Sequence, residues 1–121
     1  MTDERAALIG IDWGTSSFRA YRIGRAGVLE QRSRDAGILK VFDGDFAGTL
    51  KEAIGDWLTA EPRLPVVAAG MVGSRQGWRE VAYVPCPAGL RELAAGLLAV
   101  GTGSDRTVHL VPGVVRAGGS N

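Results

Sequence analysis

Apolar and polar positions along this chain form two kinds of run, some with strand alternation and some with the three-and-four spacing of a helix. The first is an apolar run, Leu8-Ile9-Gly10-Ile11, leading into a single acid, Asp12. Small and hydroxyl residues follow, Gly14, Thr15, Ser16 and Ser17, and then Phe18 to Ile23 is rich in aromatic and β-branched residues. The order predicts strand, tight turn, strand. Val28 to Arg32 predicts a third strand after a turn at Gly27, completing an antiparallel meander. Alternation in the second strand is imperfect. Phe18, Ala20 and Arg22 share one face and Arg19, Tyr21 and Ile23 the other, so the pattern does not choose the buried face.

Ser33 to Asp45 reads as a loop. Asp45 to Ala60 predicts an amphipathic helix, with Phe46, Leu50, Ala53, Ile54, Trp57 and Leu58 on its stripe. Asp43 or Asp45 suits the N-cap, and Pro62 stops the helix. Trp57 lies on the stripe and is expected in the core. Pro65 to Gly70 is a short apolar run between breakers, a buried strand that is parallel to the first if the helix crosses between them. Its end delivers GMVGSRQGW to the carboxyl edge of the sheet, where ligand sites of open α/β sheets gather. Val81 to Val84 predicts a short strand. Pro87 to Ala99 predicts a second amphipathic helix on Leu90, Leu93, Ala94, Leu97 and Leu98, capped by Gly101. Thr102 to Arg106 is a polar loop, and Thr107 to Val111 a last β-branched run.

Composition adds limits. The chain has 121 residues, one ordinary domain, and 45% are hydrophobic, enough for a core. Fourteen basic and thirteen acidic residues leave a net charge of +1, which provides no bulk attraction to nucleic acid or an anionic membrane. One cysteine, Cys86, excludes an internal disulfide. MTDERAAL lacks a signal-peptide pattern, and no apolar run approaches a membrane span, so a soluble cytoplasmic protein is expected.

Candidate chemistry concentrates in two stretches. In IDWGTSSFRAYRI, Ile11 to Ile23, a carboxylate stands before a turn of hydroxyls and backbone N–H groups. Such a turn suits a phosphate–metal complex. Asp12 can hold a hard cation directly or through water, Gly14 can take positive φ and let phosphate approach, and the turn amides and the hydroxyls of Thr15, Ser16 and Ser17 can donate. The same residues also make an ordinary hairpin turn. In GMVGSRQGW, Arg75 can pair with a carboxylate, Ser74 and Gln76 can bond hydroxyl or keto oxygens, and Trp78 can give an apolar wall. The alternative is a surface loop with a solvated arginine. His109 stands alone in a strand and Cys86 between two prolines; both read as structural.

Four motifs, in order and spacing, resemble the 2-dehydro-3-deoxygalactonokinases of the sugar-kinase, heat-shock-protein and actin superfamily: IDWGTSSFRAYRI, AAGMVGSRQGW (Ala68 to Trp78), YVPCPAG (Tyr83 to Gly89) and VHLVPG (Val108 to Gly113). The resemblance implies an α/β, ribonuclease-H-like (actin-like ATPase) fold, a mixed sheet of antiparallel meander then parallel strands with helices packed on it. It implies that residues 1–121 are the N-terminal lobe of a two-lobed kinase that phosphorylates 2-dehydro-3-deoxy-D-galactonate at its 6-hydroxyl with ATP. In that reading Asp12 holds Mg2+, and Gly14, Thr15, Ser16 and Ser17 contact phosphate. Arg19 reaches a phosphate or stays on the strand surface. Met71, Gly73, Ser74, Arg75, Gln76 and Trp78 shape the sugar-acid pocket. Gly37, in the family's Gly-Ile element, lies near substrate or in a plain connection. No general base is assigned, the C-terminal lobe is absent from this chain, and the small polar stretch from Arg116 to Asn121 reads as a linker or cut. The isolated lobe is expected to be inactive, and an exposed apolar interface invites self-association. Two other classes share parts of the pattern: a ribonuclease-H-like nuclease drawing on Glu30, Asp35 and Glu80, and a non-catalytic ligand-binding or regulatory module.

Overall fold

The computed structural model describes residues 5–85, 89–103 and 106–115. Its centre is a six-stranded mixed sheet. Strands β1 (Ala6–Trp13), β2 (Phe18–Gly24) and β3 (Gly27–Arg34) form the expected antiparallel meander. β4 (Val66–Ala69) joins β1 in parallel after the helix α1 (Phe46–Ala60) crosses between them. β7 (Thr107–Leu110) joins β4 in parallel, and β6 (Leu98–Gly101) closes that edge antiparallel to β7. The order across the sheet is β3-β2-β1-β4-β7-β6. A separate two-stranded ladder pairs β5 (Val84–Pro85) with β8 (Val114–Val115). The molecule is thus a mixed α/β protein with few helices.

One face of the sheet makes the core. Ile9, Ile11 and Trp13 of β1 meet Phe18 and Ala20 of β2, Val66 and Ala68 of β4, and Val108 and Leu110 of β7. The apolar stripe of α1, Phe46, Leu50, Ala53, Ile54 and Trp57, closes over them. Asp45 caps the helix by accepting from the Gly48 N–H at 2.9 Å, and Glu61 leaves helical geometry just before Pro62. The buried face of β2 is therefore the Phe18 face. At its far end Arg22 pairs with Glu61 and Glu30. Arg32 lies 4.3 Å over the Trp57 ring and forks onto Asp56. Arg32 also donates to the Ala53 carbonyl, beside Ile54, whose φ of −136° interrupts the helix.

The second helix departs from expectation. α2 spans only Leu90–Ala95, buries none of its residues, and ends at Gly96. Leu90 is 86% exposed. Leu98, assigned to the same stripe, begins β6, and Gly101 is a strand residue rather than a cap. The Ser33–Asp45 loop is also partly ordered. β3 runs on to Arg34, and two short 3-10 turns follow, Ile38–Lys40 and Phe42–Gly44. The strand expected over Val81 to Val84 starts only at Val84. Cys86 lies outside the described residues.

Candidate functional site

The carboxyl ends of the parallel strands gather most of the candidate residues at one edge. Asp12 is the penultimate residue of β1 and stands level with Ala69, the last of β4. Its side chain is exposed and has no ion pair or hydrogen-bond partner among the described residues. Arg19 is its cross-strand partner in β2, so both side chains project from the same face. Arg19 is exposed too and makes no ion pair among the described residues. A cation therefore flanks the carboxylate without neutralising it by contact.

The turn from Gly14 to Ser17 is closed from within, by the Gly14 N–H donating to the Ser17 carbonyl at 2.9 Å. This corrects the expectation at Gly14. Its φ is not positive, and its N–H is spent on the turn rather than offered outward. The carbonyls of Gly14 and Thr15 are spent as well, accepting from the N–H groups of Ile38 at 2.9 Å and Leu39 at 3.2 Å. By contrast, the backbone N–H groups of Thr15, Ser16 and Ser17 have no acceptor among the described residues, and all three residues are exposed. Among the described residues, three of the turn's four carbonyls, those of Gly14, Thr15 and Ser17, are thus occupied, while three of its N–H groups remain to meet an anion. Gly37 packs from behind, buried against the backbone of Thr15 and Ser16.

The stretch after β4 is a tight hydrogen-bonded loop. Gly70, at φ 103° and ψ −157°, turns the chain off the strand, and a Cβ there would lie 2.8 Å from the Trp13 carbonyl oxygen. Met71–Gly73 forms a 3-10 turn with Val72 wholly buried and Met71 at the surface. The Trp78 N–H donates to the Val72 carbonyl and the Val81 N–H to the Gly73 carbonyl, each at 2.8 Å. The Ser74 hydroxyl donates to the Met71 carbonyl at 2.6 Å and accepts from the Gln76 N–H, so it shapes the loop. Trp78 is drawn inward. Its ring stacks on Phe46 with centroids 6.0 Å apart and meets Trp13 edge-on at 6.3 Å.

What this loop leaves open is a cleft of about 310 Å³ lined by Gly73, Ser74, Arg75, Gln76, Glu80, Val81 and Tyr83. Arg75 is exposed and unpaired among the described residues. Glu80 and Tyr83 are wall residues that sequence reasoning did not assign to this site; both lie beyond the Gly-rich motif and reach the cleft only through the fold. Trp78 is not among its lining residues. A larger groove, about 600 Å³, runs along α1 between Lys51 and Arg106 and contains no residue of either motif. There Asp56 is taken by Arg32, and Arg106 donates to the carbonyls of Leu58, Glu61 and Leu64.

The carboxylates that a nuclease would need are dispersed. Glu30 pairs with Arg22 and Arg32, Asp35 pairs with Lys40, and Glu80 lines the cleft. Among the described residues no three His, Cys, Asp or Glu side chains gather to hold a metal. No helix among them is long and apolar enough to cross a membrane.

The model of one protein family, 2-keto-3-deoxy-galactonokinase, matches residues 12–121. The chain belongs to that family. This galactonokinase-family chain is 35% identical over 115 residues to a protein of Rhizobium meliloti described as a probable 2-dehydro-3-deoxygalactonokinase, covering 88% of this chain and 34% of the relative. It is 35% identical over 109 residues to the 2-dehydro-3-deoxygalactonokinase of Escherichia coli, covering 90% and 35%. A crystal structure assigned to a 2-dehydro-3-deoxygalactonokinase protein from Sinorhizobium meliloti superposes with a TM-score of 0.72 at 35% identity, over 90% of this chain and 36% of that one. The galactonokinase-family chain therefore spans about a third of the length of the curated relatives it matches.

Proposed function

We propose that this chain is the first lobe of a two-lobed, ribonuclease-H-like kinase that phosphorylates 2-dehydro-3-deoxy-D-galactonate at its 6-hydroxyl with ATP. The observation that carries the reading is the turn at Thr15 to Ser17, three exposed residues whose N–H groups lack an acceptor among the described residues, with three hydroxyls beside a carboxylate that has no protein partner among them. Phosphoryl transfer depends mainly on positioning and charge neutralisation, and this edge of the sheet offers both.

The residues fit a hard divalent cation such as Mg2+. Such an ion is commonly held by one or two carboxylates, with water and substrate phosphate completing its shell, and Asp12 is one exposed carboxylate with no competing protein cation in contact. When bound, the ion neutralises phosphate charge. Thr15, Ser16 and Ser17 receive phosphate oxygens, and Arg19 adds positive charge on the same face as Asp12. Arg75 receives the carboxylate of the sugar acid in the cleft, where Gln76 and Tyr83 meet its hydroxyls. Gly73 and Ser74 set the cleft floor, while Met71 and Trp78 support the loop from outside and inside.

Titration of the chain with 2-dehydro-3-deoxygalactonate, followed by backbone amide shifts, tests the acceptor site. Shifts concentrated at residues 73–83 are expected. Unperturbed amides there at millimolar ligand would return the cleft to a plain surface.

A further inference from the structure

The phosphate-facing polarity of the Thr15–Ser17 turn is not intrinsic to the turn. A four-residue connection between antiparallel strands can expose carbonyl oxygens as readily as N–H groups, and an outward carbonyl repels an anion. Here two of the turn's carbonyls, those of Gly14 and Thr15, are held by the N–H groups of Ile38 and Leu39. The segment that holds them comes from more than twenty residues away and is itself fixed at two further points. The Trp13 indole N–H donates to the Ala36 carbonyl at 2.9 Å, and the Ile38 side chain is buried in the core. Gly37 lies between these anchors. A Cβ on it would fall on the Thr15 carbonyl oxygen and the Ser16 backbone. Its φ of −62° and ψ of 173° are open to any residue, so contact alone demands glycine.

From these contacts we infer that Ala36–Leu39 is a positioning element for phosphate binding: it holds the Gly14 and Thr15 carbonyls inward, away from the anion that the turn's N–H groups receive, with Gly37 as the residue that permits the approach and Trp13 as its anchor. The inference rests on the phosphate reading of the turn and adds to it the source of the turn's polarity. Gly37 acts through Thr15 and Ser16 and touches no ligand. Any side chain at Gly37 must push the segment off the turn, releasing both carbonyls to rotate toward the anion.

The test is titration with inorganic tripolyphosphate, read by amide shifts at Thr15, Ser16 and Ser17 at a temperature where each protein shows a fully folded spectrum. The wild-type chain is expected to bind there, and Gly37→Ala to bind about tenfold more weakly or worse, as the loss of one or two such bonds implies. A purely structural role would lower the melting temperature and leave the dissociation constant of the folded population unchanged, and that result overturns the inference. Should Gly37→Ala not fold, Trp13→Phe keeps a ring in the aromatic cluster and removes the donor to Ala36. Weaker tripolyphosphate binding by the folded variant supports the tether, and wild-type affinity overturns it. Wild-type protein with no response at Thr15–Ser17 would instead remove the phosphate reading itself.

Discussion

Asp12 and Gly70 meet at the carboxyl edge of the sheet: Oδ1 of Asp12 lies 3.4 Å from the position a Cβ would take on Gly70. The same Cβ would stand 2.8 Å from the Trp13 carbonyl oxygen, and the φ of 103° at Gly70 is one that side chains rarely adopt. Gly70→Ala is therefore expected to cost about 1–3 kcal/mol from backbone strain, with crowding adding to it. A urea melt measures this, and an unchanged midpoint would show that the strand end relaxes freely.

Gly14 behaves differently. A Cβ there would meet only the Ser17 carbonyl oxygen, at 3.9 Å, and its φ is not positive. The protein itself has room for a methyl group. Gly14→Ala should leave stability within about 0.5 kcal/mol yet weaken tripolyphosphate binding, because the methyl would enter space that the proposed phosphate site needs. Equal binding by the two proteins would mean that phosphate does not approach this backbone.

Arg75 carries the acceptor reading. Being exposed and unpaired among the described residues, it can be truncated at little cost to the fold. Arg75→Ala is expected to raise the dissociation constant for the sugar acid about tenfold or more, the usual worth of a hydrogen bond to a charged group. Its melting temperature should match wild type. Unaltered affinity would place Arg75 outside the cleft's chemistry.

Asp56 sets a pH signature far from the site. The hydrogen bond from Arg32 holds its carboxyl at about 2, below the ordinary 3.8. A lowered native value means that the pair's contribution is present above pH 3.8 and disappears as pH falls from there to about 2. Solvent screening keeps it small, since Asp56 is exposed. The difference in urea midpoint between wild type and Asp56→Asn should narrow across that window; a gap that persists to pH 2 would contradict the pairing.

Much of the fold was legible because local signals agreed. Asp45, the Phe46–Trp57 stripe and Pro62 all mark the same helix, and the polar turn after Asp12 marks a hairpin whichever way its function is read. The second helix is shorter than its pattern suggests because Leu93, Leu97 and Leu98 keep helical spacing across Gly96, where the helix ends. Space explains that glycine: a Cβ on Gly96 would stand 3.0 Å from both Pro112 and Val84. Leu98–Gly101 then pairs with β7, a choice that periodicity in so short an apolar run does not reveal. Gly37 gives the same lesson at the site. Its reason for being glycine is a contact with Thr15 and Ser16, which no local pattern encodes. The motif points Trp78 toward the sugar-acid pocket, whereas stacking on Phe46 turns it toward the core.

The measurement that bears most directly on the proposed role is an amide-shift titration of the chain with Mg2+ and ATP together, beside the same titration of Asp12→Asn. Shifts centred on Asp12 to Ser17, saturating in wild type and much weakened by the substitution, are expected. Shifts absent from that turn, or centred on the groove between Lys51 and Arg106, would contradict its assignment as the phosphate site.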